Sequence, residues 1–362
     1  MVERLGREWT GALELTVRAG DDALRALAYP ALVGRPAVGD LVHLNVTAQS
    51  RGLGTGGYAL VVAVPDRAPT APPAGPGHLV KARYTPLQTM VLGVDEQESE
   101  HHELLRDADD LAGLPVVVAD LHSALPAVIA GARHAARAAG HPLPRVAYVM
   151  TDGGALPAWF SRTVAGLRDA DWLAACVTVG QAFGGDLEAV TLHTGLLAAR
   201  LVVGADLVVV AQGPGNLGTG TRWGFSGVSA GEALNAAAVL GGRPVASLRV
   251  SGADPRERHL GVSHHSLTAY GRVALARGDV VVPVADPAHP EPDRTALLDL
   301  VARQAATLRD RHRLVEVPTG PDLRAALAGS PVRLTTMGRG LDEDAEPFLA
   351  AAAAGHHAAT LR

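Results

Sequence analysis

The residues best able to do chemistry in this 362-residue chain are histidines, 15 of them, and the aspartates that close several apolar runs. Asp120 and His122 stand two apart at the end of such a run, a spacing that puts both on one face of an extended chain. Asp152 and Asp186 follow two further runs, and His259, His264 and His265 cluster behind Ser251-Gly-Ala-Asp-Pro-Arg-Glu-Arg258. Imidazoles and carboxylates at strand ends suit a metal ion or acid–base catalysis equally. These seven residues are the candidate catalytic groups. The metal stays open, because no spacing here is as specific as H-E-x-x-H. His193 lies on the helical segment after Asp186, about 10 Å further along its axis, too far for both to ligate one ion.

A second group of residues is suited to holding an anion. Glycine admits a ligand close to the backbone, and a helix N-terminus offers free N–H groups. The loops at Gly153-Gly154 and Gly184-Gly185, and the long loop from Gly213 to Gly227, have this composition. Within the last, Gly213, Gly215, Asn216, Gly218, Thr219, Gly220, Thr221 and Arg222 are the expected ligand contacts. Tight turns capped by Asp or Ser explain any one loop as well, and several on one edge favour a site. Lys81 and Arg83 share one side of a short extended segment and form a compact cationic pair that could face these loops.

Several mechanisms are excluded. Gly213-Pro-Gly-Asn-Leu-Gly218 matches G-x-G-x-x-G, but the helix is expected to start well downstream, at a Ser229-x-x-Glu232 capping box. The match at Gly52–Gly57 lies between strands, so neither reads as a classical NAD site. Lys81 is the one lysine among 32 Lys and Arg, so no phosphate loop of the G-x-x-x-x-G-K-[ST] type exists. There is no G-x-S-x-G elbow, and Cys176 falls inside an apolar strand as a buried hydrophobe. The cofactor is otherwise unknown, with a divalent metal left open.

The elements that must position these groups divide in two. Residues 1–95 read as short strands with Gly and Asp turns, a small β-barrel-like domain carrying a proline-rich loop at 65–77. Asp95 to Asp110 is a densely acidic surface stretch. Residues 110–362 alternate apolar runs with Ala-rich helical stretches, the pattern of a doubly wound, mainly parallel Rossmann-like α/β sheet with helices on both faces. Helices are expected from Asp186 to about Val203 and from Ser229 to Leu240, and late strands near Leu314–Val317 and Val332–Leu334.

A net charge of −5 with no basic block argues against nucleic acid, and no apolar stretch is long enough to span a membrane. With one cysteine and no signal peptide, a cytoplasmic location is expected, and a homodimer is left open.

The segments Arg51–Tyr58, Lys81–Gln88, Met150–Pro157, Gly180–Val190 and the Gly213 loop resemble a bacterial family, domain of unknown function 3866, over nearly the whole chain. That resemblance implies no activity. Val177 to Asp254 is also similar to part of component B of glycine reductase, without its selenocysteine site. The expected function is to bind, and as an enzyme to transform, a small phosphate- or carboxylate-bearing metabolite at the strand-end loops, by acid–base or metal-assisted chemistry. The alternative is a non-catalytic ligand sensor or scaffold whose β domain binds a protein partner.

Overall fold

The computed structural model describes residues 1–67 and 75–362. The centre of the expected proline-rich loop, 68–74, lies outside the described residues. The first unit is a five-stranded mixed sheet in the order β1-β2-β3-β5-β4. Its strands are β1 (Val2–Trp9), β2 (Ala12–Ala19), β3 (Asp22–Ala28), β4 (His43–Asn45) and β5 (Ala59–Ala63). The period-two pattern of Leu13, Leu15 and Val17 packs inward with Val2, Ala26, Ala59 and Val61. Only two backbone bonds approach closure among the described residues, from Val2 N to Asp40 O and from Gly39 N to Val2 O.

A hairpin follows, β6 (Leu79–Lys81) and β7 (Thr89–Val91). Its Leu87 touches the first unit's core, but the chain just beyond it joins the second unit: Gly93 bridges Glu188, and Val94 N donates to Glu188 O. The segment 78–94 therefore ties the two units together.

The second unit is an eight-stranded sheet whose ladders are all parallel, in the order β11-β10-β9-β12-β8-β13-β16-β17. The strands are β8 (Pro115–Val118), β9 (Val146–Thr151), β10 (Ala175–Thr178), β11 (Leu187–Glu188), β12 (Leu207–Gln212), β13 (Arg243–Ser247), β16 (Asp279–Val284) and β17 (Arg313–Pro318). The short antiparallel pair β14 (Val250–Ser251) and β15 (Gly261–Val262) lies between β13 and β16 in sequence. Continuous Val and Ala runs suit strands buried on both faces. Val116 and Val118 enter one core, and Val117 and Ala119 the other. The first face is covered by helices Leu192–Leu201, Ala230–Val239 and Pro292–Ala305, the second by Leu125–Ala138, Arg162–Asp169, Pro321–Ala328 and Glu346–Thr360.

On the second face, Leu125–Ala138 and Glu346–Thr360 approach more closely than side chains permit. A Cβ on Gly131 would lie 1.9 Å from Ala352 O, and one on Gly355 would lie 1.9 Å from Val128 O. Two reciprocal glycines thus set this helix pair backbone to backbone.

Three expectations change. The helix expected from Asp186 starts at Leu192, capped by the Thr191 hydroxyl, because Leu187–Glu188 adds an edge strand instead. The Ser229–Glu232 capping box does not form, since Ser229 Oγ donates to Ser226 O, although the helix does begin at Ala230. Val332–Leu334 forms no strand. The neighbouring Thr335–Thr336 pairs with Arg339–Gly340 outside the main sheet. No helix among the described residues is long and apolar enough to cross a membrane.

Candidate functional site

The chain leaves β8 toward one face of the sheet and leaves β12, its neighbour, toward the other. Such a switch point opens a crevice beyond the carboxyl ends of parallel strands. Two buried tyrosines hold the strand ends there. Tyr148 Oη lies 2.9 Å from Gln212 O and 3.2 Å from Ala211 O, and Tyr270 Oη lies 3.0 Å from Val118 O and 3.1 Å from Ser247 O.

A cleft of about 310 Å³ opens at this point, between the two units. Trp9, Gly56 and Tyr58 come from the first unit; His122, Ser161, Gln212, Gly213, Gly215 and Asn216 come from the strand ends and following loops of the second. Arg162 and Arg333 lie in its walls, and no carboxylate lines it among the described residues.

His122 is the centre of a hydrogen-bonded chain. The Tyr148 hydroxyl proton goes to the carbonyls of β12, so His122 Nδ1–H donates to Tyr148 Oη at 3.0 Å. That leaves Nε2 to accept the Ser161 hydroxyl proton at 2.7 Å. Ser161 Oγ also accepts Val164 N–H at 3.0 Å, which caps the helix Arg162–Asp169 and fixes the hydroxyl. Burial pushes the His122 pKa down to about 4, so the ring is a neutral acceptor at pH 7.

This shift has a sign that can be measured. Between about pH 6.5 and 4 the unfolded chain binds a proton that the folded imidazole does not, so the His122 contribution to stability is lost as pH falls through that window. The stability difference between wild type and His122→Asn should therefore shrink by about 2 kcal/mol from pH 7 to pH 5. Paired denaturant titrations test it, and a difference that does not change with pH would contradict it.

Beside the cleft, sharing Leu121, Ser123, Thr336 and Met337 with it, is a cavity of about 30 Å³ bearing Asp120, Arg249, Asp254 and Arg339. Burial raises the Asp120 carboxyl and opposes the Arg249 charge, and each partly offsets this for the other. Asp254 is held well below the usual carboxylate range by Arg256, whose Nε and Nη2 reach it at 2.9 and 2.7 Å.

Beyond that cavity the three expected histidines meet. His259, His264 and His265 bring ligand nitrogens within 4.8 Å of one another. His259 Nδ1 lies 2.8 Å from Ser263 Oγ, whereas His264 Nε2 and both nitrogens of His265 are buried with no hydrogen-bond partner. Phe225 stacks on His265, with centroids 3.9 Å apart. Burial lowers all three pKa values, to about 4 for His259 and about 3 for His265, and Arg249 acts in the same direction on each. The three rings are neutral nitrogen donors.

The remaining candidates lie elsewhere or are already engaged. Asp152 Oδ2 accepts Gln181 N–H at 2.9 Å at the end of β9, outside the histidine cluster. Asp186 is at the wrong end of its strand, accepting Cys176 N–H at 2.7 Å and pairing with Arg168 at 2.9 Å. Lys81 is 2% exposed and donates to the carbonyls of Gly180, Ala182 and Ala189 at 2.7, 3.0 and 2.9 Å, with Glu188 at 3.6 Å. Those three acceptors use all of its protons, so it anchors the hairpin to the sheet edge and offers nothing to a ligand. Arg83 takes Gln181 Oε1 on its backbone N–H.

Most of the glycines meet protein rather than ligand. A Cβ on Gly154 would lie 2.1 Å from Gly213 O, one on Gly213 2.5 Å from Ala155 O, and one on Gly153 2.7 Å from Gln212 Oε1. Gly184 and Gly185 lie against the Trp159 ring and Cys176 O. Gly213, Gly215 and Asn216 do line the cleft. Gly218, Thr219, Gly220 and Thr221 form an exposed lobe closed by Thr219 N–H to Gly224 O and Gly224 N–H to Thr221 Oγ1, and Arg222 at its end faces the histidines. Cys176 is buried, and its thiol pKa is pushed up.

Sequence reasoning missed Ser161, Tyr148, Arg249 and Arg333. The arginines flanking His259, at 256 and 258, were the one available signal that the cluster sits in positive surroundings. A family model described as a protein of unknown function (DUF3866) matches residues 25–355. No curated protein and no solved structure matches the chain, and the segmental likeness to glycine reductase component B is not shown.

Proposed function

The chain belongs to the DUF3866 family, and from that premise we propose that it binds a small anionic metabolite in the cleft between its two units and transforms it by acid–base chemistry. The observation that carries this reading is the charge of the cleft. Its walls hold Arg162 and Arg333 and no carboxylate among the described residues, in a chain of net charge −5. Neither arginine makes a side-chain hydrogen bond among the described residues, so both guanidinium groups are free for a phosphate or carboxylate. His122 Nε2 accepts a hydrogen bond from the Ser161 hydroxyl at 2.7 Å beside that charge. A neutral imidazole so placed serves as general base for the hydroxyl, and Tyr148 fixes its tautomer as a carboxylate does elsewhere.

The first unit, read as an incompletely closed barrel, supplies Trp9 and Tyr58 as an apolar wall for the rest of the ligand. This favours the second reading, a sensor in which a ligand bridging both units alters how the β domain meets a protein partner.

Two variants separate the readings. Arg333→Gln, at an exposed side chain, should weaken binding of inorganic phosphate or small dicarboxylates at least tenfold by calorimetry while the melting temperature holds. Ser161→Ala should abolish hydrolysis of activated carboxylate and phosphate esters and leave anion binding in place. Binding without turnover in the wild type supports the sensor. No anion binding at all sinks both.

A further inference from the structure

We propose that His259, His264 and His265 form a divalent metal site, zinc by its donor set, whose open position takes an oxyanion from the arginine-lined cleft beside His264. The three ligand nitrogens lie within 4.8 Å of one another, and His264 Nε2 and both nitrogens of His265 have no partner although buried. A buried polar atom left unpaired costs about 1–3 kcal/mol, so the two neighbouring rings of His264 and His265 call for an occupant. A neutral imidazole carries one lone pair, and a cation takes one nitrogen from each of the three rings at once. Three imidazoles and no carboxylate or thiolate are the set that zinc takes with one position left open. A tetrahedral ion needs these nitrogens about 3.3 Å apart, and the His264 and His265 rings, with no hydrogen bond to hold them, can turn toward His259 to reach that.

The surroundings determine the fourth ligand. The charges that act on His264 are Arg222, Arg249, Arg256 and Arg258, and they would oppose a bare cation. They would favour the same cation carrying an anion. His264 lies in the wall of an open cleft of about 680 Å³, with Arg222, Trp223, Arg272 and Arg311 around it. Neither Arg222 nor Arg272 has a side-chain hydrogen bond or carboxylate partner among the described residues. An oxyanion bound to the metal from this side meets both arginines. Metal and anion binding are thereby coupled, each tightening the other by the same factor. This site does not depend on the cleft chemistry at His122.

The full chain, stripped of metal by dialysis, is titrated with cobalt(II) and with zinc, with and without inorganic phosphate. One equivalent should bind, with the intense visible bands of a tetrahedral cobalt site, and phosphate should tighten binding at least fivefold. His264→Gln should weaken metal binding 100-fold or more, and far-UV circular dichroism checks that it is folded. Arg222→Gln touches no ligand atom and should keep the cobalt spectrum while losing the phosphate effect. Absence of stoichiometric binding in wild type, or binding unchanged in His264→Gln, overturns the metal site. Metal binding indifferent to phosphate overturns the oxyanion half.

Discussion

Gly131→Ala is expected to destabilise the protein by at least about 3 kcal/mol, the reverse of what this exchange does in an ordinary helix. Alanine usually gains about 1 kcal/mol over glycine in a helix interior. Here the added methyl would sit 1.9 Å from Ala352 O and 2.7 Å from its Cα, well inside van der Waals contact. The obstacle is backbone in a buried helix and has no flexible end to swing aside. The two helices must separate, which loosens the layer that Leu125, Ile129, Phe348 and Leu349 build over β8, β13 and β16. Gly355→Ala repeats the clash from the opposite helix, against Val128 O. Gly54→Ala is the control, since its Cβ would meet nothing within 4 Å. Denaturant midpoints for the three variants test the claim. If Gly131→Ala unfolds at the same midpoint as Gly54→Ala, the close crossing is wrong.

Lys81→Met is the second large effect, expected to cost about 3–5 kcal/mol. The methionine chain would fill much of the same space, so the loss is electrostatic. Three carbonyls, of Gly180, Ala182 and Ala189, would lose their donor, and Glu188 would keep only Thr178 Oγ1 and Gly184 N–H. Burial already pushes Glu188 up and Lys81 down, each resisted by the other, so removing the lysine leaves Glu188 protonated or strained. Lys81→Arg should also destabilise, because a planar fork cannot point three protons at three converging carbonyls. Glu188→Gln should cost less, since the ammonium retains its carbonyls. Thermal melts of these variants decide it, and Lys81→Met melting with wild type would remove the anchor from the account.

The frame was legible because parallel strands buried on both faces leave unbroken apolar runs, as in Pro115–Val118 and Leu207–Gln212. Local signals misled where tertiary pairing overrode them. Asp186 has the composition of a helix cap, yet the residues after it join the sheet edge. Glycines at 153 and 154 read as ligand contacts and let neighbouring loops touch, a distinction that exists only in three dimensions. The histidine triplet was visible because it is nearly contiguous. The Ser161–His122 pair was not, since its members lie 39 residues apart and neither stands in a motif. For Lys81, strand alternation indicated a side but not what faced it.

The helix that closes the sheet's second face, Glu346–Thr360, follows every strand of that sheet in the chain. It contacts β8, β13, β16 and β17 and lies against Leu125–Ala138, so that part of the face lacks its cover until this helix has been synthesised. Lys81 meets a similar delay, because its carbonyl partners emerge about a hundred residues later. Folding of the α/β unit thus waits for a helix that follows all eight strands, rather than advancing strand by strand. While nascent, the molecule presents an uncovered face of Val117, Val245 and Val281, the kind of surface that chaperones recognise.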